Sequence, residues 1–216
     1  MAGKPWRAAQ WGRAETGNKI LAETKNAKPK SRVTRQNVAA TAIECFRRYG
    51  LHRTSMNDIA DAFGVSRQTL YRLFDSRSAL LEYIATQRVE LLTRNLAKYL
   101  AKYERLPDAL VDGMAHSIKL GREDELLAEI VRQEGDEHFT TFLFGGTKEV
   151  QAAMLEAWQP LLRRARDEGQ LADDVTDIQI IEWLSNVGAF LNTRPDYVEE
   201  DHRRILRQFV LPSLRI

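Results

Sequence analysis

Gly64, with a capped amphipathic segment on either side, is the strongest local constraint on this chain. Ser55 precedes Met56-Asn57-Asp58-Ile59-Ala60, and Asp58 puts a carboxylate in the first turn, where free N–H groups and the helix dipole favour it. A helix therefore starts at Ser55. Ile59, Ala62 and Phe63 fall on one face at i, i+3, i+4 spacing, and Gly64 then lets the helix stop. Ser66 is a second N-cap, and Leu70, Leu73 and Phe74 form the inward stripe of the next helix. Arg67, Gln68, Thr69, Tyr71 and Arg72 are left facing outward. Two short capped helices joined by a glycine turn have the form of a helix-turn-helix, although a plain helical hairpin satisfies the same spacing.

The outward residues have groove-reading chemistry. Arg67 can donate in bidentate fashion to guanine, Gln68 can pair with adenine, and the methyl of Thr69 can meet thymine. Thr54, Ser55, Ser66, Tyr71 and Arg77 suit phosphate oxygens, contacts that position a protein on a duplex without specifying sequence.

The run Ala42, Phe46, Gly50, Thr54-Ser55, Ile59-Ala60, Gly64-Val65-Ser66, Thr69-Leu70-Tyr71, Phe74, Ser76-Arg77 and Leu80-Leu81 resembles the N-terminal signature of the tetracycline-repressor-like (TetR) regulators. The match spans about residues 34–81. Two positions depart from it: Gln68 stands where the family often has a small residue, and Arg77 where Lys is more usual. Arginine still offers a cation to a phosphate. The resemblance implies an all-α fold of about nine helices, with a three-helix DNA-binding head and a helical ligand-binding and dimerisation domain. It also implies a homodimer on a palindromic operator in double-stranded DNA, and repression relieved by a small effector.

The net charge of +2 over 216 residues conceals a division. Residues 1–80 carry 15 basic and 6 acidic side chains, a balance of +9, whereas residues 81–216 carry 17 and 24, a balance of −7. Only the first third has the electrostatics of a polyanion binder. Residues 1–33 read as a flexible basic arm in which Lys25, Lys28, Lys30 and Arg32 can follow phosphates or a minor groove. Trp6 and Trp11 have no place in that reading. The expected organisation is an arm over 1–33, a DNA-binding domain over 34–80, and an effector-binding and dimerisation domain over 81–216.

The first ordered helix should run from Thr34 to Tyr49, burying Val38, Ala42, Cys45, Phe46 and Tyr49 and ending at Gly50. Cys45 in that stripe is an inert core thiol. Helical patterns continue over 77–103, 107–120, 123–144 with a break near Gly135, 147–168, 176–193 and 198–211. The apolar arc of 176–193, which includes Ile180, Trp183, Leu184, Val187 and Leu191, is too wide for one neighbouring helix. With Ile205 and Phe209 of the last helix it predicts a four-helix dimer interface. Met114, His116, Phe139, Phe142 and Trp158 are candidates for an effector pocket whose apolar, aromatic character favours a hydrophobic or amphipathic ligand.

Catalysis finds no support. Glu134, Asp136, Glu137 and His138 lack the helical spacing of a metal site, and Gly145-Gly146-Thr147-Lys148 lacks the glycine pattern of a phosphate loop. No nucleophile, base and orienting partner can be assembled. The expectation is a regulator rather than an enzyme, needing no cofactor or metal. No apolar run approaches the ~20 residues of a membrane span, and a cytoplasmic location follows as the default. A helical adaptor that binds only protein is the alternative; it explains the apolar helices but not the basic first third.

Overall fold

The computed structural model describes residues 32–134, 148–172 and 174–215, all-helical apart from turns and connections. Two compact units divide between Asp75 and Ser76.

The first unit holds α1 (Arg35–Tyr49), α2 (Met56–Phe63) and α3 (Arg67–Leu73). Thr34 caps α1, and its buried stripe is Val38, Ala39, Ala42, Cys45 and Phe46. Tyr49 departs from the expected stripe: it is 49% exposed, because the last residue of a helix overhangs the core, and the Arg48 guanidinium lies 5.3 Å from its ring centre. In α2 the inward set is Met56, Ile59, Ala60 and Phe63. Ala62 is exposed, so the true face has i, i+3, i+4, i+7 spacing from Met56. The helix ends as a Schellman turn: Gly64 is left-handed (φ 82°, ψ 37°), its N–H donates to Asp61, and the Val65 N–H donates to the Ala60 carbonyl at 3.0 Å. A side chain at that φ is strained, so glycine is the residue that permits the reversal. Leu70 and Phe74 are fully buried, and Arg35 of α1 stacks 4.8 Å from the Phe74 ring centre.

The second unit comprises α4 (Arg77–Leu100), α5 (Leu106–Glu123), α6 (Glu125–Glu134), α7 (Lys148–Asp167), α8 (Asp177–Asn192) and a C-terminal helix, α9. α9 begins at Glu199–Ile205, widens into a π turn over Leu206–Val210 and closes at Leu211–Ser213. Leu96, Leu110, Trp158, Leu162, Ile180, Leu191 and Leu206 belong to its core. Gly121 is a joint in the sequence pattern, yet α5 runs through it to Glu123; the chain turns at Asp124. Asp124 is buried and has two duties, accepting from the Leu127 N–H at 3.0 Å at the start of α6 and from Arg88 Nε at 2.9 Å. The expected break near Gly135 lies outside the described residues.

Candidate nucleic-acid interface and ligand cavity

The exposed face of the first unit is built by its caps. Ser55 forms a reciprocal capping box with Asp58: the Ser55 N–H donates to Asp58 Oδ2 at 2.8 Å, and the Asp58 N–H donates to Ser55 Oγ at 3.2 Å. Ser66 accepts from the Thr69 N–H at 3.1 Å, fixing where α3 starts. Arg67 and Gln68 consequently stand exposed on the first turn of α3, the position from which a recognition helix reaches base edges. Thr69 is half-buried and its hydroxyl lies 2.9 Å from Ser66 Oγ, so that hydroxyl is engaged within the cap. Tyr71 is 42% exposed one turn further along.

Thr54 requires a correction. It is only 2% exposed, and its hydroxyl donates to the Gly50 carbonyl at 2.9 Å, with the Cys45 carbonyl 3.4 Å away. It ties the end of α1 to the start of α2 and has no phosphate-facing group. Cys45 is buried too, and burial, followed by the nearby Asp58 and Glu44 carboxylates, pushes its thiol pKa up. Arg77 is the half-exposed first residue of α4, after the Ser76 cap. Arg32 is exposed, with its backbone carbonyl accepting from Asn37 Nδ2 at 2.8 Å. Lys25, Lys28 and Lys30 lie outside the described residues.

A model of the bacterial regulatory proteins of the tetR family matches residues 39–84. The chain is 26% identical over 171 residues to the probable acrEF/envCD operon repressor of Escherichia coli K12, covering 77% of this chain and 76% of that one. Over residues 39–84, therefore, the chain is similar to that family. A second relative, an HTH-type transcriptional regulator of Mycobacterium tuberculosis, is 29% identical over 164 residues, 73% of each chain. Among solved structures, the TetR-family repressor QsdR of R. erythropolis superposes with a TM-score of 0.60 at 18% identity, covering 83% of this chain and 93% of that one; it shares the fold. These similarities support a DNA-binding transcriptional regulator, with the Ser66-capped α3 as its candidate reading element.

The second unit encloses a cavity of about 830 Å³. α4 supplies Leu92 and Leu96, α5 Met114 and Ile118, α7 Met154 and Trp158, and α8 Leu184 and Gly188. Met114 and Trp158 are thus on the wall, as the sequence suggested. His116 is not: it stacks on Tyr99, ring centres 3.9 Å apart, because two positions along a helix from Met114 turns it to another side. Its pKa is lowered by burial and then by Lys102 and Lys119. Phe139 and Phe142 lie outside the described residues. Unforeseen are the polar wall groups Thr93, Ser117, Arg122, Ser185 and Asn192. A helix-terminal arginine gives no sequence signal of facing inward. Here Arg122 does, its guanidinium donating to the carbonyls of Leu191 (2.9 Å), Arg194 (2.9 Å) and Tyr197 (3.1 Å).

The apolar arc of α8 divides between two sides. Ile180, Leu184 and Leu191 are at most 3% exposed and belong to the protomer's own core, so these three are corrected from interface to core, while Val187 is half-buried against it. Ile178, Trp183 and Phe190 on α8 and Phe209 on α9 remain exposed; Phe209 is 66% exposed. Ile205 is half-buried against the core. Trp183 Nε1 donates to Ser213 Oγ at 3.0 Å, which joins α8 to the end of α9. No helix among the described residues is long and apolar enough to cross a membrane.

Proposed function

We propose that the chain is a homodimeric repressor, acting in the cytoplasm by binding rather than catalysis. Its two heads read a palindromic operator, and a small apolar or amphipathic effector in the second unit's cavity releases it. The reading rests above all on the exposed Arg67 and Gln68 at the first turn of a capped helix, since those two side chains make bidentate base contacts. Ser55, Ser66, Tyr71 and Arg77 take the phosphate-positioning role, and residues 34–80 act as the DNA-binding domain with 81–216 as effector and dimer domain. The exposed Trp183, Phe190 and Phe209 support dimerisation, because large apolar side chains gathered on two helices mark an association surface. The E. coli relative is itself named an operon repressor, which supports the sign of regulation.

The decisive experiment is a fluorescence-anisotropy titration against palindromes from upstream of the chain's own or neighbouring operons. The expected outcome is salt-sensitive binding with a Kd of about 10⁻⁸ M, at least about 10³-fold tighter than on random duplex. Equal affinity for every duplex, or no binding at low salt, refutes the operator reading. Sedimentation should give twice the chain mass at micromolar concentration; a monomer there refutes the dimer.

A further inference from the structure

The cavity has two unlike ends. α4 and α5 run antiparallel: Arg88, midway along α4, pairs with Asp124 just past α5, whereas Gly113 within α5 lies against Leu100 at the end of α4. Arg122 donates to the Leu191 carbonyl, so α5 and α8 bring their C-terminal ends together. Along this axis Leu96, Met114, Trp158 and Leu184 form a buried apolar end. Arg122, Arg132 and Asn192 form the opposite end, where the lining is half-buried or exposed. The mouth is therefore the polar end, and from Ile181 to Asn192 the α8 wall extends ~16 Å.

Among the described residues, the charged groups lining this mouth are two arginines. Arg132 is paired with Glu129. Arg122 is held by three backbone carbonyls and, among the described residues, pairs with no carboxylate. Carbonyl dipoles orient a guanidinium without cancelling its charge, which leaves a fixed cation on the wall of a mostly apolar chamber.

We infer that the effector is an amphipathic anion, with an apolar body at the Leu96–Trp158 end and a carboxylate at Arg122. This rests on the proposed use of the cavity as the effector site. Twelve-carbon probes match the length of the chamber and separate the two ideas. The full chain is titrated calorimetrically at pH 7.5 with dodecanoate, dodecan-1-ol and dodecyltrimethylammonium, below micelle-forming concentrations. Dodecanoate should bind about tenfold or more tighter than the alcohol, with the cation weakest. In Arg122→Gln the carboxylate should fall to the affinity of the alcohol, while the alcohol is unchanged; Arg122→Lys should keep part of the preference and serves as the comparison if the glutamine variant unfolds. Gly188→Leu, which narrows the chamber beside Met114, should weaken both carboxylate and alcohol. Equal affinities for carboxylate and alcohol, or a preference for the cation, overturn the anionic effector but leave the cavity a binding site. A carboxylate preference that survives in Arg122→Gln overturns the role of Arg122. No binding by any of the three probes overturns the effector-site reading itself.

Discussion

Gly113→Ala tests how tightly the floor of the cavity is packed. A Cβ at this position would sit 2.5 Å from Leu100 Cδ2 and 3.0 Å from Trp158 Cη2. Leu100 must then retreat by nearly 1 Å, and it is only 1% exposed, so the movement forces it off its rotamer within a filled core. Overpacking of this kind costs about 1–3 kcal/mol. Against it stands the helix-propensity gain of replacing an interior glycine with alanine, about 1 kcal/mol. The clash should outweigh the gain because a one-sided steric contact in a buried site relaxes only by displacing packed neighbours, and the net loss should be up to about 2 kcal/mol. For a chain of this size that lowers Tm by up to about 8 °C, measurable by circular dichroism. Because Trp158 bounds the cavity, its ring is also pushed inward, and the alcohol probe should bind less tightly. A Gly113→Ala protein at least as stable as the parent, binding the probe equally well, refutes the packing argument.

Arg67→Ala or Gln68→Ala should cost about 1–3 kcal/mol on the cognate operator and little on random duplex, whereas Tyr71→Phe should weaken both alike in anisotropy titrations; equal losses for Arg67 end its base-reading role. Phe190→Glu places a charge on a ring that is 54% exposed, so it should sediment as a folded monomer; a persistent dimer moves the interface elsewhere. The one cysteine, Cys45, should resist a disulfide reagent at pH 8 in the folded chain and react with one equivalent after denaturation. His202 is 3% exposed with Nε2 unpartnered, and burial, then Arg122, lowers its pKa. The unfolded chain therefore takes up the proton first, and stability should be lost as pH falls below about 6.5 towards the folded-state value. His202→Leu should flatten that part of the Tm–pH curve; an unchanged slope assigns the loss to other groups.

The order of elements was legible because it is written in local chemistry. Ser55, Ser66, Ser76 and Thr176 cap the helices they precede, and each cap is satisfied within three residues of itself, so no distant partner is needed to see it. Faces were less legible. Ala62 and Tyr49 are both apolar or partly so, and spacing alone places them inward, but in the short α2 one residue step swings a side chain by about 100°, and at the end of α1 Tyr49 overhangs the core. Thr54 has the composition of a phosphate ligand and the burial of a structural clamp, and only the carbonyls of Gly50 and Cys45 distinguish the two.

By itself the sequence determined the two capped helices about Gly64 and the confinement of positive charge to the first third, since each of these depends on neighbours within a few residues or on a sum over them. Tertiary structure decided how the apolar arc of α8 is shared, sending Ile180, Leu184 and Leu191 into the core and leaving Trp183 and Phe190 outside. It also decided that Gly121 stays within α5 and that Arg122 borders an apolar cavity while holding carbonyls some seventy positions away. Those outcomes depend on which helices pack together and at what depth, and no periodicity in one helix carries the position of another.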